Sequence, residues 1–260
     1  MTNIPPLAPK LALVTGGMHR LGAAIAARLA AAGYALALHK HHASDPEPEL
    51  AAALAAHGTN WHRFRADLAN TDEVTTLVPR VVAHFGRAPD LLVNNAALFA
   101  EGGWDAMSAA DLARMNAVNL NAPVLLAQAL VTASQPTSQP AIVNIVDQRV
   151  ANPVPDQLAY SLSKGALFQA TRTLAAAFGR RARVNAVAPG LTIVTADYTP
   201  GQANRLAARM PLGRLPTPGD VADAVLFLAT ATATTGQTLF VDGGASLAPM
   251  GRDFVYLDRN

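Results

Sequence analysis

No cysteine occurs in the 260 residues, which removes disulfides, thiolate nucleophiles and cysteine-ligated metal sites together. Charged side chains make up 15% of the chain and aromatic ones 5%, against 51% hydrophobic residues. That balance excludes a disordered chain and supplies an aliphatic core that can be buried on several sides. Twenty Lys and Arg stand against 18 Asp and Glu; they are scattered, so no basic stripe of the nucleic-acid-binding kind is present. The longest apolar segment, Ala23 to Leu38, is interrupted by Arg28 and Gly33 and is too broken to cross a bilayer. The opening MTNIPPLAPKLALVTGG carries prolines, one lysine and a very short apolar run, unlike a signal peptide or an anchor. The expectation is a cytoplasmic protein of one domain, of a length ordinary for a single α/β layer structure.

What is present is an alternation. Short apolar runs at Leu11–Val14, Tyr34–Leu38, Trp61–Ala66, Leu91–Asn94, Ala141–Val146, Arg183–Val187 and Thr238–Val241 read as strands. Between them lie helical patterns at 21–32, 49–57, 71–85, 108–134, 157–178 and 219–229, with a shorter one around 201–210. Seven apolar strands separated by helices predict a single-domain, Rossmann-type three-layer α/β fold with a parallel, doubly wound sheet.

Three stretches carry chemistry. Thr15 to Gly22, TGGMHRLG, is a glycine turn between a strand and a helix; backbone N–H groups and the helix dipole there attract phosphate. After the second strand stand His39, Lys40, His41 and His42, with the first acid only at Asp45. Cations and imidazole donors suit a ribose 2′-phosphate, so NADPH is expected over NADH. Finally, Tyr160 and Lys164 are four residues apart, on one helix face. An ammonium beside a phenol stabilises the phenolate and makes the tyrosine a usable general acid.

The YxxxK pair resembles that of the short-chain dehydrogenases/reductases, and the resemblance runs in order from Leu11 to Leu247. Gly16 and Gly22 fit the family's TGxxxGxG, with Arg20 in place of the middle glycine. The resemblance implies a nicotinamide cofactor, NADPH/NADP, bordered by Gly16, Arg20, Leu21, Gly22, His39 to His42, Asp67, Leu68, Asn95, Ala96, Ala97, Val146, Tyr160, Lys164, Pro189, Gly190 and Leu191. In that reading Asp67 accepts from the adenine amino group, Asn94-Asn95-Ala96-Ala97 lines the cofactor, and Pro189-Gly190-Leu191 closes over the nicotinamide. Asn119 kinks the long helix and holds a water linked to Lys164. Residues 192–210 form a substrate lid, Val241-Asp242-Gly243-Gly244 adjoins a subunit-packing strand, and the assembly is a homotetramer. The tail, 248–260, is expected to pack on a neighbour through Phe254 and Tyr256 and to carry Arg252 toward that subunit's pocket.

One departure narrows the substrate. Thirteen residues before the tyrosine the family usually has serine, and here Asp147 stands. Serine can donate to a carbonyl oxygen as it becomes negative; an ionised aspartate can only accept, and its charge opposes an oxyanion. The carboxylate suits a heterocycle that offers N–H groups and takes a proton on nitrogen, and it raises the pKa of Tyr160. Asp147, Arg20 and an aromatic, Phe99, after the NNA motif resemble the pteridine reductase branch. The implied catalytic set is Asp147, Tyr160, Lys164 and Asn119; the implied substrate contacts are Arg20, Phe99, Asp147, Tyr160 and Leu191, with no metal. The implied activity is reduction of a C=N bond in a dihydrobiopterin, dihydromonapterin or dihydrofolate. The alternatives are a ketone or sugar-alcohol reductase of the same family and a non-catalytic NADP-binding regulator. Departures at Ala97, where the branch has serine, and at His42, where it has arginine, bear on affinity and cofactor choice.

Overall fold

The computed structural model describes residues 9–42, 45–99 and 102–259; the opening segment through Ala8 and the last residue of the tail, Asn260, lie outside them. Strand β1 (Leu11–Val14) has every side chain buried, as a strand covered by helices on both faces demands. In chain order follow α1 (Arg20–Ala31), β2 (Ala35–Lys40), α2 (Pro48–Ala56), β3 (Trp61–Arg65), α3 (Thr71–Phe85), β4 (Leu91–Asn94), α4 (Ala109–Asn116), α5 (Ala122–Ala133) and β5 (Ala141–Ile145). Then come α6 (Leu158–Phe178), β6 (Arg183–Pro189), α7 (Gln202–Arg209), α8 (Pro218–Thr230) and β7 (Thr238–Val241).

The seven strands pair parallel in the order β3-β2-β1-β4-β5-β6-β7. Alternate residues of a strand face opposite sides, so the sheet divides the core in two. Val14, Leu36, Leu38 and Val93 pack with α1, α2 and α8; Leu11, Leu13, Ala37 and Leu92 pack with α3, α5 and α6. Caps set several helix ends. Asn70 accepts from the Asp72 N–H at the start of α3, and Gly86 ends that helix in the left-handed region. Reciprocal boxes, Ser108 with Asp111 and Thr217 with Asp220, open α4 and α8.

The long helix expected from Ser108 to Ser134, with a kink at Asn119, is two helices, α4 and α5, joined by a π turn at Ala117–Asn121 that contains Asn119. Apolar periodicity cannot reveal a one-residue bulge of this kind. Strand β6 runs two residues past the expected Val187 because its pairing with β7 continues to Pro189 opposite Val241. Between β1 and β4 the order of connection reverses: β1 leads to β2 on one side and β4 to β5 on the other, which opens a crevice at the carboxyl ends of the strands.

Candidate active site

That crevice is a cleft of about 670 Å³, bordered by the first turn, the loops after β2 to β6 and the faces of Tyr160 and Lys164. Its phosphate end is built from backbone. Gly16 has φ +61°, and a Cβ on Gly22 would stand 2.0 Å from the Gly16 carbonyl oxygen and 2.7 Å from Asn95 Nδ2. No side chain fits at Gly22, so the helix start lies directly against the turn. Thr15 Oγ1 accepts from the N–H groups of Asn95 and Ala96 at 2.9 and 3.0 Å, and Asn95 Nδ2 donates to the Thr15 carbonyl at 2.9 Å. The Asn95 side chain is therefore spent on bracing the turn. Asn94 Nδ2 donates to Asn144 Oδ1 at 2.8 Å, and Asn144 Nδ2 donates to Thr171 Oγ1 at 3.0 Å, tying β4 and β5 to α6.

Arg20 has φ +53°. It keeps the left-handed backbone that glycine would adopt at this place while adding a guanidinium that borders the cleft. Its N–H donates to Glu47 Oε1 at 2.8 Å, and the same oxygen is 3.4 Å from His19 Nδ1. No motif in the sequence marks Glu47. It supplies the negative charge that the first turn of α1 lacks, from a position whose approach depends on the path of the loop.

The basic group after β2 divides. All four of His39, Lys40, His41 and His42 border the cleft, with His41 Nδ1 3.4 Å from Asp67 Oδ1. His39, expected among the cationic donors, is buried: its Nδ1 accepts from the Gly16 N–H at 3.2 Å and its Nε2 meets the Ala66 carbonyl at 3.0 Å. Burial pushes its pKa down to about 4, so it is a neutral Nε2–H imidazole joining β2 to the turn. Asp67 borders the cleft and also accepts from the Ala69 N–H at 2.9 Å, so the same side chain caps its own turn.

At the other end, Tyr160 OH donates to Asp147 Oδ2 at 3.0 Å. Asp147 Oδ1 accepts from both the backbone N–H and Nε of Arg149, at 2.9 and 3.1 Å. Burial first and the Asp147 charge second hold the Tyr160 phenol well above its usual value. The lowering expected from a neighbouring ammonium is outweighed: Lys164 Nζ lies 5.8 Å from the ring centroid and donates to the Ile145 carbonyl at 2.7 Å. Burial lowers the Lys164 ammonium itself to about 8. Phe99, 55% exposed, meets the Tyr160 ring edge-on at 4.9 Å between centroids.

Three residues placed in the site by sequence, Phe99, Asn119 and Leu191, are not among those that border the cleft. The Asn119 amide is occupied by Leu98, accepting from its N–H at 2.8 Å and donating to its carbonyl at 2.9 Å, and it donates to Ser163 Oγ at 3.0 Å. Its side chain thus sets the strand-end loop that leads to Phe99 and ties it to the residue before Lys164. Leu191 turns into the cluster of Leu206, Met210 and Phe254, and the cleft is bordered there by Thr192, Ile193 and Thr195 instead. Gly190 is required for that path, since a Cβ would stand 2.8 Å from Asp242 Cα. Leu21, Leu68, Ala96, Ala97, Val146 and Pro189 border the cleft, and Arg114 on α4 is a bordering cation that no sequence motif singles out.

The tail, expected to reach a neighbouring subunit, makes these contacts with its own chain. Arg252 Nε donates to the Asp156 carboxylate at 3.0 and 3.1 Å, and Phe254 is buried against Leu206 and Met210. Among the described residues no group of three or more His, Asp or Glu could hold a metal ion, and no helix is long and apolar enough to cross a membrane. The Gly22 cradle, the turn held open by Asn95 and Thr15, and the Lys40 ammonium with the imidazole donors after β2 fit a phosphate-bearing dinucleotide.

A doubly wound parallel sheet with a glycine turn at one end of its crevice and a Tyr–Lys helix face at the other defines an oxidoreductase. The chain belongs to the short-chain dehydrogenase/reductase family; the family model described as Enoyl-(Acyl carrier protein) reductase matches residues 17–246. Among solved structures it is similar to FolM Alternative dihydrofolate reductase 1 from Brucella canis complexed with NADP, with 37% identity, a TM-score of 0.85, and coverage of 94% of this chain and 97% of that one. Among curated proteins it is 34% identical to Pteridine reductase 1 of Leishmania tarentolae, over 93% of this chain and 98% of the relative. It is 36% identical to the Granaticin polyketide synthase putative ketoacyl reductase 2 of Streptomyces violaceoruber, over 95% and 100%.

Proposed function

We propose that this protein is an NADPH-dependent reductase of a C=N bond in a pterin or dihydropteridine, of the dihydrobiopterin, dihydromonapterin or dihydrofolate class, and that it works in the cytoplasm as a homotetramer. The observation that carries the reading is the 3.0 Å bond from Tyr160 OH to Asp147 Oδ2. A carboxylate beside the proton donor accepts from N–H groups of a heterocycle and disfavours a growing alkoxide. The cofactor, when bound, supplies a hydride to the ring carbon. Tyr160, kept protonated by burial and by Asp147, gives its proton to the ring nitrogen. The Lys164 ammonium and the Arg149 guanidinium, the latter 5.0 Å from the ring centroid, counter the charge left on the phenolate. Phe99 offers an exposed ring to a flat substrate beside Tyr160, and Arg20 borders the cleft.

Lys40, His41 and His42 take the ribose 2′-phosphate, in keeping with the NADP complex of the Brucella relative. Residues 192–210 act as the lid.

The test is initial-rate NADPH oxidation with dihydrobiopterin, dihydromonapterin and dihydrofolate, set against a β-ketoacyl thioester and simple ketones. The ketoacyl arm is required because one of the similar relatives is named for that activity. A dihydropteridine should be turned over roughly a hundredfold better in kcat/KM than any ketone, and Asp147→Ser should reverse the order. Efficient ketone reduction with no dihydropteridine turnover would sink the reading, and no turnover of any substrate would leave an NADP-binding regulator.

A further inference from the structure

The two oxygens of Asp147 have different partners. Oδ2 meets the phenol, while Oδ1 is held by Arg149. Arg149 is 6% exposed, and a guanidinium so deep is stable only if its donors are matched by acceptors and its charge is balanced. Nη1 donates to Gln157 Oε1 at 3.0 Å. Nη2 donates to Asp253 Oδ2 at 2.5 Å, across 104 positions of sequence. Arg149 thus stands between two carboxylates, one at the reacting phenol and one from the tail.

Asp253 is held in its turn. Its N–H donates to Asp156 Oδ2 at 2.8 Å and its Oδ1 accepts from the Val255 N–H at 3.0 Å. The same segment grips α7, since Gln202 Nε2 donates to the Phe254 and Val255 carbonyls at 3.2 and 3.3 Å and Arg205 Nε donates to the Asp258 carbonyl at 2.9 Å. One short stretch of tail therefore joins the helix after the PG loop to the proton donor's partner.

We propose that Asp253 is a positioning residue, which acts through Arg149 to keep the Asp147 carboxylate aimed at Tyr160, so that the tail completes the active site of its own chain. The inference deepens the reading above and rests on the roles given there to Asp147 and Tyr160. Without the Asp253 carboxylate, Asp147 is the remaining acid beside the guanidinium. The geometry then favours its turning both oxygens toward Arg149 and leaving the phenol.

The test uses the full chain with NADPH bound and compares Asp253→Asn, Asp253→Glu and Arg252→Ala. Asp253→Asn should retain NADPH affinity, read by fluorescence titration, and lose kcat roughly tenfold to a hundredfold. Asp147, Arg149, Lys164 and Phe99 face Tyr160, and with Asp253 neutral the Arg149 charge is less balanced there. The alkaline limb of the kcat profile should accordingly move to lower pH. Asp253→Glu should recover most of kcat, and Arg252→Ala, which removes a half-exposed guanidinium from Asp156 and from the Tyr256 ring, should leave kcat within about twofold. Wild-type kcat and an unmoved pH profile in Asp253→Asn, even with a lowered melting temperature, overturn the proposal. If Asp253→Asn does not fold, Arg149→Lys decides: it keeps the charge but cannot bridge two carboxylates, so a comparable loss of kcat supports the proposal and unchanged kcat overturns it. Failure of the substrate reading is a separate result, seen as ketone but not dihydropteridine turnover by the wild type. The same kcat ratios measured on the ketone then judge Asp253.

Discussion

The two ends of the cleft are built on opposite principles. At the phosphate end, Thr15, Gly16, Gly22 and Asn95 bond to or press upon one another within a strand–turn–helix and the neighbouring strand end. The chemistry is offered by backbone. At the proton-donating end, a chain of titratable side chains runs from Lys164 and the neutral Tyr160 through Asp147 and Arg149 to Asp253. Close packing gives the first end its shape, and charge balance gives the second its shape. The first should fail sterically and the second electrostatically.

The largest effect tests the charged end. Tyr160→Phe removes the transferable proton while keeping the ring, and should cut kcat about a thousandfold or more with NADPH affinity preserved; a loss of affinity instead would mean that the phenol serves the cofactor. The next tests the backbone end. Gly22→Ala forces a methyl onto the Gly16 carbonyl, and should destabilise by about 1–3 kcal/mol and weaken NADPH binding with a small change in kcat at saturation. Thermal melting and fluorescence titration read both parts. Lys40→Ala, at the rim between the two regimes, should weaken NADPH roughly tenfold and NADH little, and the loss should shrink in high salt.

The smallest effect concerns pH. With Lys164 lowered to about 8 from its ordinary 10.5, the unfolded chain holds a proton across that interval that the native chain has released. Stability should then rise as pH climbs from about 8 toward 10.5. Tyr160, raised above its usual 10, acts oppositely above that value. Urea unfolding over this range should show the wild type gaining on Lys164→Met by on the order of 1 kcal/mol. Parallel curves would mean that the buried ammonium keeps its proton.

The same contrast between local and distant contacts governs what a sequence reveals. The seven strands, Gly16, Gly22, Tyr160 and Lys164 are legible because their signals are local: an apolar run, a turn residue, a spacing of four. Asp147 is legible as a departure from a spacing. The neutral state of His39 depends on the burial of β2 and on two backbone partners that a sequence does not show. Glu47 reaches Arg20 from 27 positions away, and Asp253 reaches Arg149 from 104. The π turn that seats Asn119 against Leu98, and the turning of Leu191 into the tail cluster, follow from packing between elements, where periodicity is silent.

Arg20 carries its guanidinium on a backbone with φ +53°, a conformation that costs a non-glycine residue about 1–3 kcal/mol. Replacing it by glycine should therefore raise the melting temperature while removing the cation, whereas valine or isoleucine should be tolerated at neither level. Selection for heat resistance alone would drift toward glycine at this position, at the loss of the cation on the cleft's border.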